Sequence, residues 1–359
     1  MPEINPEEVL KSINQDMSDI NRKEKEIRKH RIETTYEMLQ RQKAEAEANK
    51  SIDLKNRDPN RVQKIVDDTV NYIEYARNSK TFLLDGFRGI VPFFKRNLIL
   101  VAGKTGTGKS TLTANIAYQT ISQNIKCLVI SNEEVEGDCY GRVVALHKGF
   151  PYMNHSDFTR EQMETIRNSI PILAKRLDVI DDNYNGHGGQ TTTFEGVQAI
   201  LESALTVDYG AIIIDYYQGI SASKDNPSLN TWQVQEMFTN YIDQYKNRAN
   251  CPIILLGQLK DDANLSFKES IEGRKTIYNK VTTALEIIPN YEDKITEWKV
   301  WKGRFSGTPG KVVKTGFEKG KYVDYDDKFA KKRLQEKEEQ NYKEKFNDIF
   351  KNVFAKEIK

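Results

Sequence analysis

Val101-Ala102-Gly103-Lys104-Thr105-Gly106-Thr107-Gly108-Lys109-Ser110-Thr111 is the stretch that decides the fold. The apolar run Leu98–Ala102 leads into it, and Leu112-Thr113-Ala114-Asn115-Ile116-Ala117 leaves it with helical spacing. Gly103, Gly108, Lys109 and Ser110 complete the pattern G-x-x-x-x-G-K-[ST], here set between a strand and a helix. Phosphate oxygens must approach several backbone N–H groups at once, so the loop cannot carry Cβ atoms at its tightest points. The helix that follows adds unpaired N–H groups and the positive end of its dipole. Every residue from Gly103 to Thr111 is therefore expected to line a nucleotide, with ATP and Mg²⁺ as cofactors. Lys109 is expected to reach the β- and γ-phosphates, and Ser110 to hold the metal.

Composition bounds the rest. A chain of 359 residues can bury a sizeable core in one large domain or two. Hydrophobic residues make up 38% and charged residues 30%, yet the net charge is only +2, so no global basic field points to nucleic acid. Contact with DNA must come from a local patch. Cys127, Cys139 and Cys251 lack metal spacing and are expected to be reduced core or near-core residues of a cytoplasmic protein. His30, His147, His155 and His187 form no ligand pair. No run is long enough to span a bilayer.

Three parts are expected: charged N-terminal helices over 1–80, a catalytic domain over 81–326, and a charged C-terminal helix over 327–359. In the first, Leu10, Ile13, Met17, Ile20 and Ile27 mark a short coiled-coil seam interrupted by Glu24. Val62, Ile65, Val66, Val70 and Ile73 give a second amphipathic helix, expected to dock on another domain or a neighbouring subunit. In the second, short apolar strands are expected at Leu98–Ala102, Lys126–Ile130, Leu177–Ile180, Ala211–Ile214 and Pro252–Gly257, separated by helices. That alternation predicts an α/β fold with a mostly parallel sheet covered on both faces. Strands then follow without helices, at Ala284–Ile288, Trp298–Trp301, Lys311–Lys314 and Tyr322–Tyr325, which predicts antiparallel hairpins on the sheet edge. Phe329, Leu334, Tyr342, Phe346, Ile349, Phe350 and Phe354 supply an apolar stripe for the last helix, clearest in its second half.

A P-loop needs a carboxylate at a strand end to help hold Mg²⁺, and Ala211-Ile212-Ile213-Ile214-Asp215 supplies one. The strand after the P-loop helix ends in Ser131-Asn132-Glu133-Glu134. A carboxylate there faces the γ-phosphate across the crevice used by open α/β sheets. Glu133 is the expected general base, with Glu134 as second choice. Gln258, at the end of another strand, is placed to sense the γ-phosphate.

These segments together resemble the DnaB-type replicative helicases. Ile213-Ile214-Asp215-Tyr216-Tyr217-Gln218, Ser131-Asn132-Glu133-Glu134, Gly257-Gln258-Leu259 and Lys302-Gly303-Arg304-Phe305-Ser306-Gly307 are similar to that family's motifs, in the family's order, from about Leu84 to Tyr325. The resemblance implies a RecA-like ATPase in a six-membered ring around single-stranded DNA, moving 5′ to 3′, with ATP between subunits. It implies Arg304 as an arginine finger for the neighbouring subunit, with Lys302 as its companion. It places the loops after Asp215 and Gln258 in the pore, with Lys224, Lys260, Lys268, Arg274 and Lys275 as phosphate contacts. Beyond DNA and further copies of the chain, it implies a primase or a helicase loader as partners. The family's compact N-terminal helical domain is not evident in 1–80. Two other readings share the P-loop: a recombination ATPase of the RadA or KaiC kind, and an ATP-gated assembly scaffold.

Overall fold

The computed structural model describes residues 60–78, 82–152, 157–183, 191–222, 229–262, 264–304 and 309–357. The N-terminal heptad seam, Lys224 and Phe305-Ser306-Gly307 lie outside them. The chain divides into two compact units, Met1–Asn71 and Tyr72–Lys359. Helix α1, Arg61–Asn78, carries the expected stripe of Val62, Ile65, Val66, Val70 and Ile73, and all five side chains are exposed.

The second unit is built on strands β1 (Leu98–Gly103), β2 (Lys126–Ser131), β3 (Leu177–Ile180), β4 (Tyr209–Asp215), β5 (Ile253–Gln258), β6 (Thr283–Asn290), β7 (Ile295–Gly303), β8 (Val312–Glu318) and β9 (Lys321–Asp324). They form one nine-stranded sheet in the order β3-β2-β4-β5-β1-β6-β7-β8-β9. Pairing is parallel from β3 across to β6 and antiparallel from β6 to β9. The expected hairpins begin at β6, which pairs parallel with β1 on one side and antiparallel with β7 on the other. All nine strands fall where the apolar runs put them, most extended by a few residues. The largest extension is β7, whose inward residues Thr296, Trp298 and Val300 alternate with outward Glu297 and Lys299. A search for unbroken apolar runs misses the polar half of such a strand.

The strands of the parallel half are buried on both faces, and alternate residues join different cores. Ile99, Val101, Val129 and Ile213 pack under α2 (Lys109–Ile121) and α3 (Glu136–Lys148), through Leu112, Ile116, Val143 and Leu146. Leu98, Leu100, Ile212 and Leu255 pack under α5 (Phe194–Ala204) and α6 (Thr231–Tyr245), through Val197, Leu201, Phe238 and Ile242. Helix α4, Arg160–Leu173, buries none of its residues fully. The loop after β5 holds two single turns, α7 (Phe267–Ser270) and α8 (Ile277–Lys280). All three cysteines are free and buried, in keeping with the sequence. No described helix is long and apolar enough to cross a membrane.

Helix α9, Asp327–Glu357, differs from expectation in its anchoring. Phe329 in its first turn is buried on Gly316, a site where any Cβ would overlap the ring. Arg333 donates to the carbonyls of Asp293 (3.1 Å) and Glu292 (3.0 Å) in the β6–β7 turn, and Lys337 pairs with Asp293. Leu334 and Tyr342, expected in the stripe, are exposed. The side chains of the stripe's second half lie outside the description.

Trp298 centres the hairpin side of the core. It is fully buried, meets Phe82, Phe87 and Tyr322 edge-on, and donates through Nε1 to Thr315 Oγ1 at 2.9 Å. Trp298→Ala should cost about 3–5 kcal/mol of unfolding free energy, read from urea denaturation of the full chain. A loss under about 1 kcal/mol would show that the hairpins are not packed as one core with the parallel strands.

Candidate nucleotide site

The parallel register brings the chemistry-bearing residues to one edge. Gly103 pairs with Gln258 across β1 and β5, and Ser131 with Asp215 across β2 and β4. The carboxyl ends of β1, β2, β4 and β5 thus carry the glycine loop, Glu133, Asp215 and Gln258 on the same side.

The loop is shaped for close approach. A Cβ at Gly103 would overlap Thr107 and Ile287, while Gly106 and Gly108 hold φ of +78° and +88°. Thr107 Oγ1 donates to the Lys104 carbonyl at 2.8 Å, closing the loop on itself. Gly108 then serves as N-cap of α2, whose first turn begins at Lys109, so the early N–H groups of the helix open into the loop. Lys109 bends back over the loop, its Nζ 3.1 Å from the Lys104 carbonyl and 3.4 Å from that of Gly103. Burial holds its ammonium below the usual lysine range, against the opposing pull of Asp215, Glu133 and Glu272. Ser110 and Thr111 are half-buried beside it. Next to Thr111 a cleft opens, lined by Ala114, Arg142, Leu146, Phe150 and Phe317.

Asp215 is almost wholly buried, at 1% exposure. Its Oδ2 accepts from Thr113 Oγ1 at 2.9 Å, while Oδ1 has no partner among the described residues. Burial raises its pKa from 3.8 to about 7; the Thr113 hydroxyl opposes this, Glu134 and Glu133 add to it, and Lys109 opposes it. A buried carboxylate oxygen left unpaired among the described residues, its charge coupled to that of Lys109 in the cradle, is a donor a hard cation takes through water, so Mg²⁺ fits these residues.

Asn132 holds the neighbouring acids in place. Its Nδ2 donates to the Tyr216 carbonyl at 2.7 Å and its Oδ1 accepts from the Tyr216 N–H at 3.0 Å. This pair of hydrogen bonds between side-chain amide and backbone fastens the end of β2 to the end of β4. Of the two acids beyond it, Glu134 is tied to Arg142 at 2.9 Å. Glu133 is exposed and makes no hydrogen bond or ion pair among the described residues. Gln258 reaches Thr105, its Nε2 2.5 Å from Oγ1. Lys104 pairs with Asp261, in the loop after Gln258, at 2.5 Å.

Residues 84–266, half of the chain, match the family model for the C-terminal domain of DnaB-like helicases. The chain belongs to that family. Among solved structures, one ATPase domain is similar at 15% identity, over 74% of this chain and 99% of that one, with a TM-score of 0.59. A DnaB-like replicative helicase, described with its interactions with primase, is similar at 15% identity over 82% of this chain and 78% of that one, with a TM-score of 0.54. At such identities these two support the fold, a RecA-like sheet. A search of curated protein sequences returned no match.

The match to the DnaB-like family ends before Lys302 and Arg304, and the fold sets those two apart from the cradle. The Arg304 N–H donates to the Thr282 carbonyl, and the Thr282 N–H to that of Leu98, so Arg304 is level with the start of β1. The glycine loop leaves from the strand's other end, about 17 Å further along. Lys302 donates to the carbonyls of Tyr278 (2.7 Å) and Asn279 (3.0 Å), and burial together with Arg304 lowers its pKa to about 8. The expected DNA contacts differ in their surroundings. Lys260 and Lys275 are exposed. Lys268 lies close enough to Lys302 to depress its pKa. Arg274 is paired with Glu236 and stacked on Trp232. The sequence reading missed Asn132 as a clamp and Glu272 as a charge facing Lys109; neither carries a motif signal, because each acts on a residue distant in sequence.

Asp215→Asn should stabilise the chain in the absence of nucleotide and metal. The folded state binds more protons than the unfolded chain between pH 3.8 and about 7, so the stability that Asp215 gives is full below pH 3.8 and is lost progressively until the pH has passed about 7. The variant's advantage in melting temperature should therefore be largest at pH 8 and vanish towards pH 4. An advantage equal at both pH values would show that the carboxyl is not held protonated by burial.

Proposed function

We propose that this chain is an ATP-driven motor of DNA replication, a ring of like subunits that moves along single-stranded DNA, 5′ to 3′, and separates the duplex. One observation carries the reading: the cradle has its lysine, its metal carboxylate and a free acid at one sheet edge, while Arg304 lies at the other. A cation about 17 Å down the sheet cannot serve its own cradle, so it serves a neighbour's. Direction follows the DnaB-like family.

In this reading the N–H groups of Gly103–Ser110 cradle the β-phosphate, and Lys109 swings from its carbonyl contacts onto the β- and γ-oxygens. The cleft beside Thr111, with Phe150 and Phe317 in its wall, suits a purine base. Ser110 and Asp215 would hold Mg²⁺, which offsets charge on the phosphates. Glu133, left free while Arg142 occupies Glu134, takes the proton of the attacking water. Gln258 turns from Thr105 to the γ-phosphate. Arg304 of the adjacent subunit, with Lys302 beside it, meets the charge that develops on the transferred group. Residues 81–326 are the motor; 1–80, with the exposed stripe of α1, and 327–359 serve assembly. Single-stranded DNA and further copies of the chain are its partners, with a primase or a loader beyond them, in the cytoplasm.

Lys109→Ala and Arg304→Ala should each lower DNA-stimulated ATP turnover by at least about 10³-fold. Mixed together, the two should recover a fraction of wild-type turnover, since mixed interfaces join an intact cradle to an intact arginine. No recovery in a mixture shown to co-assemble would reject the shared site. Glu133→Gln should retain nucleotide and lose turnover and unwinding; biological function that survives without turnover would favour the assembly scaffold.

Asn132→Ala offers a second test, of geometry rather than chemistry. Freed from Tyr216, the end of β2 should misplace Glu133 and reduce turnover about 10- to 100-fold with nucleotide affinity kept. Unchanged turnover would separate Asn132 from the catalytic arrangement.

A further inference from the structure

Trp232 stands in the second position of α6, directly after its N-cap Asn230 and Thr231, and is 61% exposed. The other two tryptophans are committed to the fold: Trp298 is fully buried and Trp301 donates to Glu286 Oε2 at 2.7 Å. One exposed indole alone is ordinary on a protein surface; what singles this one out is its bracing. Trp232 is also held. The Arg274 guanidinium lies over its ring, 4.5 Å from the centroid. Arg274 is fixed in turn by Glu236, one turn along the same helix, which also accepts from Thr276 Oγ1 at 3.1 Å.

The charge of this group matters. Glu236 neutralises Arg274, so the trio presents no free cation to a phosphate. It presents a flat, braced aromatic face whose partner must be another flat, apolar or π surface. Stacking of nucleic-acid bases on aromatic side chains has this requirement, and it tolerates any sequence because every base has a π-face.

The location fits. Arg274 lies in the loop that follows Gln258, between its two single turns. The loop is locked to the cradle edge by a chain of amides: Gln258 Nε2 donates to Thr105 Oγ1 (2.5 Å), Gln218 Nε2 to the Gln258 carbonyl (3.2 Å), and Gln235 Nε2 to the Gln218 carbonyl (3.2 Å). Gln235 packs so closely on Gly273 that no Cβ fits there. Trp232 and Arg274 thus belong to the rim between the two segments that the motor reading assigns to DNA.

We propose that Trp232, braced by Arg274, is a base-stacking platform for single-stranded DNA. Arg274 then positions the platform and is not a phosphate contact. This rests on the motor reading.

The test is tryptophan emission of the full chain titrated with a deoxythymidine oligonucleotide, alongside anisotropy of a labelled strand. Wild-type emission should be quenched on binding. Trp232→Phe should lose the quench and keep affinity within a few-fold. Trp232→Ala should weaken binding about 10- to 100-fold. Against an abasic strand of equal length, wild type and Trp232→Ala should bind alike. If quenching persists in Trp232→Phe, or Trp232→Ala binds the normal oligonucleotide as wild type does while DNA still stimulates turnover, the platform is overturned and the motor stands. If no strand binds wild type, both fall.

Discussion

Parallel pairing is the constraint on which the site depends. Two parallel strands in register must end on the same edge, whatever their distance in sequence. Here Gly103, Ser131, Asp215 and Gln258 close four such strands, and the pairs Gly103–Gln258 and Ser131–Asp215 are direct neighbours. The branched and apolar residues that bury these strands on both faces do more than make a core. They fix the register, and the register fixes which polar residues emerge together. A slip of one residue between β2 and β4 would turn Asp215 to the opposite face and leave the cradle without its carboxylate.

That arrangement works against stability locally. Asp215 is desolvated, half-satisfied by Thr113, and faces two further acids. Lys109 is the opposite charge in the same low-dielectric corner, and its own burial pulls it towards neutrality. Neither group is relieved by the fold alone. Both are suited to a polyanion and a cation arriving together, and the surrounding cores, one on each face of the sheet, hold the unfavourable geometry open.

How much of this the sequence disclosed follows from the range of the interactions. A strand followed by glycines, lysine and serine is written locally, and so is an apolar run ending in aspartate; both were legible. The sides of β7 were less so, because its outward residues are polar and only pairing with β6 and β8 shows them to be strand. Least legible were contacts between distant segments. Asn132 on Tyr216, Lys104 on Asp261 and Arg274 on Glu236 join residues far apart in the chain, and no spacing rule announces them. The last of these changes a residue's meaning: an arginine counted as free charge proves to be neutralised and stacked.

The same pairing of charges bears on how such a protein could hold DNA. The loop after β5 contains Lys260, Lys268, Arg274 and Lys275, but also Asp261, Asp262, Glu269 and Glu272, and the whole chain carries only +2. Of these cations, Arg274 is spent on Glu236, and the loop's Asp261 is itself paired with Lys104 of the cradle. Long-range steering by a basic field is therefore weak here. In the proposed motor, retention of the strand has to come from short-range contact and from enclosure: stacked bases, a few unpaired lysines, and a ring whose closure is itself tied to a nucleotide site split between subunits. Each of these acts only at contact distance, so affinity should depend on assembly more than on charge, which suits a machine that must grip, release and grip again.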